Sequence, residues 1–168
     1  MTAAHHHACS CCAEPQDGPP LSYGSPAPVN WKRRYAWRRD SELTADQCVV
    51  KGRHFYVHGL IEIPVRDTGD TFSWGVWVSL SEANFGRTCD LWEDPAREQE
   101  PPYFGWLSTE LPVYGESTLL LKTHVHSRAV GVRPLIELEP TDHPLAVEQR
   151  DGITAARVGE LAGLLLPG

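Results

Sequence analysis

Two histidines two residues apart, His124 and His126, have the spacing that most directly suggests chemistry. In an extended strand they project from one face about 7 Å apart, close enough to share a metal ion or a substrate anion. Carboxylates follow soon after along the chain, and histidine beside carboxylate supports general acid–base catalysis or an oriented metal ligand. The candidate catalytic set is His124, His126, Glu137, Glu139, Asp142 and His143.

The same residues also have structural interpretations. If residues 118–128 and 133–139 form an antiparallel hairpin, His124 lies opposite Glu137 and Lys122 opposite Glu139, as on an ordinary solvated sheet face. Asp142, two residues before Pro144, suits the N-cap of a short helix. Structural pairing and capping are therefore favoured over catalysis, and whether the chain is an enzyme stays open.

Candidate zinc ligands lie near the N-terminus. Cys9 and Cys12 have a Cys-x-x-Cys spacing that can direct two thiolates at one zinc ion, about 2.3 Å from each sulfur. Reduced thiols are favoured because the chain has five cysteines, an odd number, which does not suit a disulfide framework and fits a cytoplasmic protein. Zinc is preferred to a tail that binds metal adventitiously. The other possible ligands are Cys11, His5, His6, His7, Cys48 and Cys89.

Composition argues against several classes of partner. A net charge of -7 argues against a protein built to neutralise nucleic-acid phosphates. No apolar run approaches the roughly 20 residues of a bilayer span, and no export leader is evident, so no membrane partner is expected. Aromatic and basic residues interleave over residues 31–39, a pattern that could stack on bases but is better interpreted as packing on the core.

The elements that must position these residues are mainly strands. Alternation over residues 55–65 and 72–80, around a turn at 67–70, predicts a hairpin in which Trp74 and Trp77 face opposite sides. Ser81 and Thr154 suit the N-caps of two helices. Strands first and helices last predict an α+β fold, an antiparallel sheet with helices packed on one face, in residues 31–168. Residues 1–30 are interpreted as a Cys-rich metal-binding segment with a Pro/Gly-rich connector.

Three sequence runs carry a resemblance to a known family. Residues 72–81 (FSWGVWVSLS), Tyr103–Leu107 (YFGWL) and residues 136–154 resemble the bacterial family called domain of unknown function 2199. The resemblance implies an opening Cys-x-x-Cys-Gly-x-x-His pattern. Here Cys9 and Cys12 keep the two cysteines, whereas Ala13 and Gln16 replace the glycine and the histidine. The family is uncharacterised, so the resemblance implies no reaction.

We therefore expect a zinc-binding, non-enzymatic binding or interaction module whose aromatic and acidic surface meets a protein partner. One alternative is a metal-dependent enzyme using His124, His126 and the nearby carboxylates, which requires those side chains to converge in a pocket. The other is a thiol-based metal or redox sensor using Cys9, Cys11 and Cys12.

Overall fold

The computed structural model describes residues 7–8 and 15–166, with side chains from residue 17 onwards. Its strands are β1 His7–Ala8, β2 Pro15–Gln16, β3 Ser22–Gly24, β4 Glu42–Leu43, β5 Gln47–Val50, β6 His54–Pro64, β7 Thr71–Leu80, β8 Tyr103–Leu107, β9 Lys122–His126 and β10 Leu135–Leu138. Its α-helices are α1 Glu82–Asp90, α2 Pro144–Asp151 and α3 Ala155–Leu165. Short 3-10 helices cover Arg33–Trp37, Pro95–Gln99 and Pro112–Tyr114.

Strands β6 to β10 close into a five-stranded barrel. Each strand pairs antiparallel with the next, and β10 returns to β6 through Leu135 and Leu60. This last pairing is parallel, because the first and last strands of an odd-numbered meander run in the same direction. The prediction of an antiparallel sheet with helices on one face is therefore wrong. The sheet encloses its own core.

The β6–β7 hairpin is the framework of the barrel. Its register runs from the pair Phe55 and Leu80 to the pair Pro64 and Thr71, which confirms the predicted hairpin. Both strands are longer than the strands that pair with their other edges. On the edge of β6 that faces away from β7, β5 pairs with one part and β10 with another. On the edge of β7 that faces away from β6, β3 and β8 likewise pair with different parts of the strand. The two long strands thus form part of the barrel and also pair with strands outside it.

Two apolar clusters lie on opposite sides of this hairpin. Trp74 faces the barrel interior and belongs to the main core. Trp77 belongs to a second cluster on the outer side, with Tyr35, Cys48 and Tyr56. The predicted opposite orientation of the two tryptophans is confirmed. Trp77 is covered by this chain itself, and its Nε1 donates a 2.9 Å hydrogen bond to the carbonyl of Ser25.

The helices lie at the two ends of the barrel. Phe85 of α1 packs on Phe55, where β6 begins, with ring centroids 5.2 Å apart. At the other end the amide of Ile153, between α2 and α3, donates to the carbonyl of Pro64 at 2.8 Å. The predicted N-caps are confirmed, since Ser81 and Thr154 accept hydrogen bonds from backbone amides of the first turns of α1 and α3.

Part of the predicted connector belongs to the sheet. Residues 22–24 form β3, which runs parallel to β7 with Tyr23 beside Trp74. The domain boundary near residue 30 stays a prediction. Among the described residues, no helix is both long enough and apolar enough to cross a membrane.

Candidate functional site

The outer side of β8, β9 and β10 is more open than the outer side of β7. Phe104 and Trp106 are 39% and 40% exposed, whereas Trp77 is fully buried. Because side chains alternate along a strand, the outward positions form one surface. We call it the three-strand face, and it consists of Phe104, Trp106, Lys122, His124, His126, Glu137 and Glu139.

Strand register arranges this face in two rows. Phe104 lies opposite His124, which lies opposite Glu137. Trp106 lies opposite Lys122, whose carbonyl accepts a 2.9 Å hydrogen bond from the Glu139 amide. Each row therefore runs from an aromatic through a basic to an acidic side chain. The predicted register of β9 and β10 is confirmed.

The side-chain contacts run diagonally across these rows. His124 Nε2 is 3.2 Å from Glu139 Oε1, and His126 Nε2 is 3.6 Å from Glu137 Oε1. Each histidine thus reaches the carboxylate two residues beyond its directly paired position, a distance that long side chains can span. The Nε2 atom of His126 is buried and has no hydrogen-bond partner among the described residues. Its pairing is correspondingly looser than that of His124.

The aromatic side chains of the face are held by one another. Phe104 and Trp106 pack edge to face, with ring centroids 5.1 Å apart, and Phe104 packs against the His124 ring at 6.1 Å. Such pairs contribute about 0.5–1.5 kcal/mol beyond the area they bury. The rings are therefore presented to solvent in a fixed arrangement on regular strands.

The histidines of this face lie near carboxylates, a combination that could also suit a metal ion. Among the described residues, no group of three or more histidine, cysteine, aspartate or glutamate side chains is arranged to hold a metal ion. His124 and His126 each approach one carboxylate. The face exposes aromatic area, hydrogen-bond donors and carboxylates.

The candidate His143 has a structural role at the start of α2. The N-cap of α2 is His143, not Asp142 as predicted, since His143 Nδ1 accepts a 3.1 Å hydrogen bond from the Leu145 amide. The other ring nitrogen of His143, Nε2, therefore carries the proton and donates to the carbonyl of Ser117 at 3.1 Å. Both nitrogens serve structural bonds, in a side chain that is 9% exposed.

The candidate zinc ligands are only partly within the described structure. Cys9, Cys11, Cys12, His5 and His6 lie outside the described residues, and only the backbone of His7 is described. Cys48 and Cys89 are free thiols. Burial raises the pKa of the Cys48 thiol to about 12, so it is not a thiolate at neutral pH. Cys89 is exposed on α1 and accepts a 3.4 Å hydrogen bond from the Gln47 amide group.

Two clefts lie near the ends of the barrel. One, of about 80 Å³, is lined by residues that include Asp46, His58 and Arg97. The other, of about 530 Å³, lies against α2 and is lined by residues that include Glu137 and Arg150. Neither His124 nor His126 lines either cleft. The enzyme alternative requires convergence of these residues in a pocket, and only Glu137 of the candidates borders one.

The sequence reasoning missed Phe104 and Trp106 as surface residues. They share one parity within Tyr103–Leu107, while Tyr103 and Leu107 share the other and are buried. A period-2 analysis of these five residues would have separated an inward from an outward pair.

The fold and this face together define a small β-barrel protein with helices at its ends and an open aromatic and charged surface. The chain belongs to the family described as "Uncharacterized protein conserved in bacteria (DUF2199)", whose model matches residues 8–153. Neither a curated protein nor a solved structure matches it at a significant level.

Proposed function

We propose that this protein is a non-enzymatic binding module that docks a protein partner on the three-strand face. The observation that carries the proposal is the exposed pair Phe104 and Trp106, fixed edge to face on adjacent outward positions of one strand. Tryptophan is enriched among the residues that dominate binding energy at protein interfaces. Rigid strands also lower the entropic cost of ordering such side chains on binding.

The charges of the face indicate the chemistry of the partner. The carboxylate of Glu137 is 59% exposed and that of Glu139 is 34% exposed, and both lie at the acidic end of the rows. The whole chain has a net charge of -7. A partner with an apolar patch flanked by lysine or arginine would complement the aromatic and acidic ends together, and opposite charges would speed its association.

Site-specific crosslinking tests the proposal. A photo-reactive phenylalanine analogue replaces Trp106 in the full chain in bacterial cells, and the same analogue replaces Trp37 in a control. We expect a specific protein adduct at position 106 that is absent at position 37. Equal adducts at both positions, or none at position 106, would reject the three-strand face as the docking site.

Affinity measurements on the identified partner then give the energetic test. We expect Trp106→Ala to weaken binding about tenfold or more, as for an interface hot spot. Trp37→Ala serves as the matched control, because it removes an exposed tryptophan elsewhere. Unfolding curves of both variants should match the wild type. An unchanged Kd for Trp106→Ala would contradict the proposal.

A zinc ion bound by Cys9 and Cys12 is a second part of the proposal and rests on the sequence alone. Two thiolates at this spacing suit zinc, with the remaining ligands from nearby cysteine or histidine. Metal analysis of untagged protein should find about one zinc ion per chain, lost in the Cys9→Ser/Cys12→Ser variant. Zinc retained in that variant would assign the metal to other ligands, and its absence from the wild type would reject the site.

A further inference from the structure

Basic residues are concentrated in one short stretch of this acidic chain. Residues 31–54 contain seven of the 15 lysines and arginines but only three of the 22 aspartates and glutamates. The seven are Lys32, Arg33, Arg34, Arg38, Arg39, Lys51 and Arg53, and all are exposed. The net charge of the whole chain thus conceals a local excess of positive charge.

Three of these cations converge on one tyrosine. The Tyr35 ring is buried in the outer cluster, with the Arg34 guanidinium 5.6 Å and the Lys51 ammonium 5.4 Å from its centroid. Burial alone would raise the pKa of Tyr35, but a hydrogen bond from Arg34 and the charges of Lys51, Lys32 and Arg34 lower it overall. The surface around this hydroxyl therefore favours negative charge.

The two segments that carry these cations are fixed to each other. Lys51 lies in the turn between β5 and β6, and its amide donates a 2.8 Å hydrogen bond to Ser41 Oγ. The next amide, of Gly52, donates to the carbonyl of Asp40 at 2.6 Å. The cations from residues 32–34 and from this turn thus belong to one preformed surface.

An almost fully exposed tryptophan lies in the same stretch as these cations. Trp37 is 90% exposed, while Trp31 and Tyr35 of the same stretch pack against the outer cluster. Arg34 and Trp37 both belong to the 3-10 helix Arg33–Trp37, in which side chains three residues apart eclipse one another. Trp37 therefore projects on the same side as Arg34.

We propose that Lys32, Arg34, Lys51 and Trp37 form a binding site for single-stranded nucleic acid. The ammonium and guanidinium groups contact phosphates, and a base stacks on the Trp37 indole. An acidic peptide would use the cations and leave the ring without a partner. A lipid surface would need more apolar side chains than this single tryptophan. The site borders β5 and β6 and is independent of the three-strand face on β8 to β10.

Fluorescence anisotropy with a labelled 20-nucleotide oligothymidylate at low salt tests this site. We expect Trp37→Ala to weaken binding about tenfold, within the range for loss of one stacked base, and Trp37→Phe to keep most of the affinity. Lys51→Glu should weaken binding more strongly and reduce the salt dependence. With three phosphate contacts, a plot of the logarithm of the wild-type binding constant against the logarithm of the salt concentration should have a slope of about -2. Trp106→Ala is the matched control and should bind as the wild type does.

Several results would overturn the proposal. These are no binding by the wild type at low salt, or equal binding by wild type and Trp37→Ala. Equal affinity for polyglutamate would assign the surface to acidic protein segments, and preference for phosphatidylglycerol vesicles would assign it to anionic lipid. Weaker oligonucleotide binding by Trp106→Ala would show that the oligonucleotide binds to the three-strand face instead.

Discussion

At the scale of single residues, Gly105 shows how closely the barrel is packed behind the candidate site. It faces inward between the outward Phe104 and Trp106. A Cβ atom there would lie 2.7 Å from the carbonyl oxygen of Ser79 and against the Val78 side chain. Backbone atoms of a paired strand cannot easily move, so this position requires glycine.

We expect Gly105→Ala to lower the free energy of unfolding by about 1–3 kcal/mol, the usual cost of overpacking. Gly86→Ala is the control, since a Cβ added there in α1 would meet no described atom from outside its own helix within 4 Å. It should raise stability by up to about 1 kcal/mol, because alanine is the better helix former. Urea unfolding of both variants checks this. A neutral Gly105→Ala would show that the barrel wall can yield there.

His58 is buried on the outer side of β6 and stacks on Trp77, with ring centroids 4.6 Å apart. Its Nδ1 donates a 2.8 Å hydrogen bond to the carbonyl of Ala45, and its buried Nε2 has no hydrogen-bond partner within the described part of the chain. Burial lowers the His58 pKa, and the charge of Arg133 adds to this, while the hydrogen bond to Ala45 and the charge of Asp46 oppose it only in part. The folded protein therefore holds this histidine neutral.

A pH-dependent loss of stability follows. Because the unfolded chain binds a proton at about pH 6.5 and the folded protein only at lower pH, the free energy of unfolding falls as the pH drops below about 6.5. We expect His58→Gln, though less stable at pH 7.5, to lose less stability between pH 7.5 and pH 5.5. Urea unfolding at both pH values measures the difference. Equal losses would show that His58 does not contribute to the pH dependence.

At the scale of elements, β10 closes the barrel with little backbone pairing to β6. It meets β6 at the single pair Leu135 and Leu60. Gln149 of α2 takes the place of a neighbouring strand, because its Oε1 accepts from the Leu138 amide at 2.8 Å and its Nε2 donates to the Ile136 carbonyl at 2.7 Å. One side chain thus satisfies two backbone groups at the closure.

Gln149→Leu should therefore destabilise the protein by about 2 kcal/mol or more, because it leaves two partly buried backbone groups unpaired. Arg150→Ala is the control on the same helix. It removes an exposed 3.5 Å contact with Asp151, which should change stability by less than about 1 kcal/mol. Hydrogen exchange should also show faster exchange at the Leu138 amide in Gln149→Leu. Unchanged exchange there would mean that the side chain does not protect the strand.

The elements that could be predicted from the sequence are those joined by local turns. The β9–β10 register followed from alternation on both sides of a short loop, and the β6–β7 hairpin followed from the turn containing Gly69. The return of β10 to β6 could not be predicted in this way, since Leu135 and Leu60 are far apart in sequence and no local signal encodes their contact. The barrel was missed for this reason.

At the scale of the whole molecule, closure explains where the candidate surfaces lie. The barrel buries its inward residues in one core, which Phe85, Leu145 and Leu161 of the helices complete. The outer side of each strand is either covered by other chain segments or exposed. Residues 22–50 cover the outer side of β6 and β7 around Trp77. The outer side of β8 to β10 stays open. The alternation in the sequence predicted that its histidines and glutamates share one face, but it did not predict that this face is the open outer side of a barrel.

The helix α3 raises the question of how far the folding unit extends, because the family model ends at Ile153. The structure packs Leu161 of α3 into the main core at 0% exposure, whereas Leu164 on the same helix is 55% exposed. We expect Leu161→Ala to cost about 2–5 kcal/mol, as for other buried leucines, and Leu164→Ala to cost less than about 0.5 kcal/mol. Denaturant unfolding of both variants measures this contrast. Equal small effects would mean that α3 is an appendage to a barrel that is complete without it, while the expected difference would place the end of the folding unit beyond the family boundary.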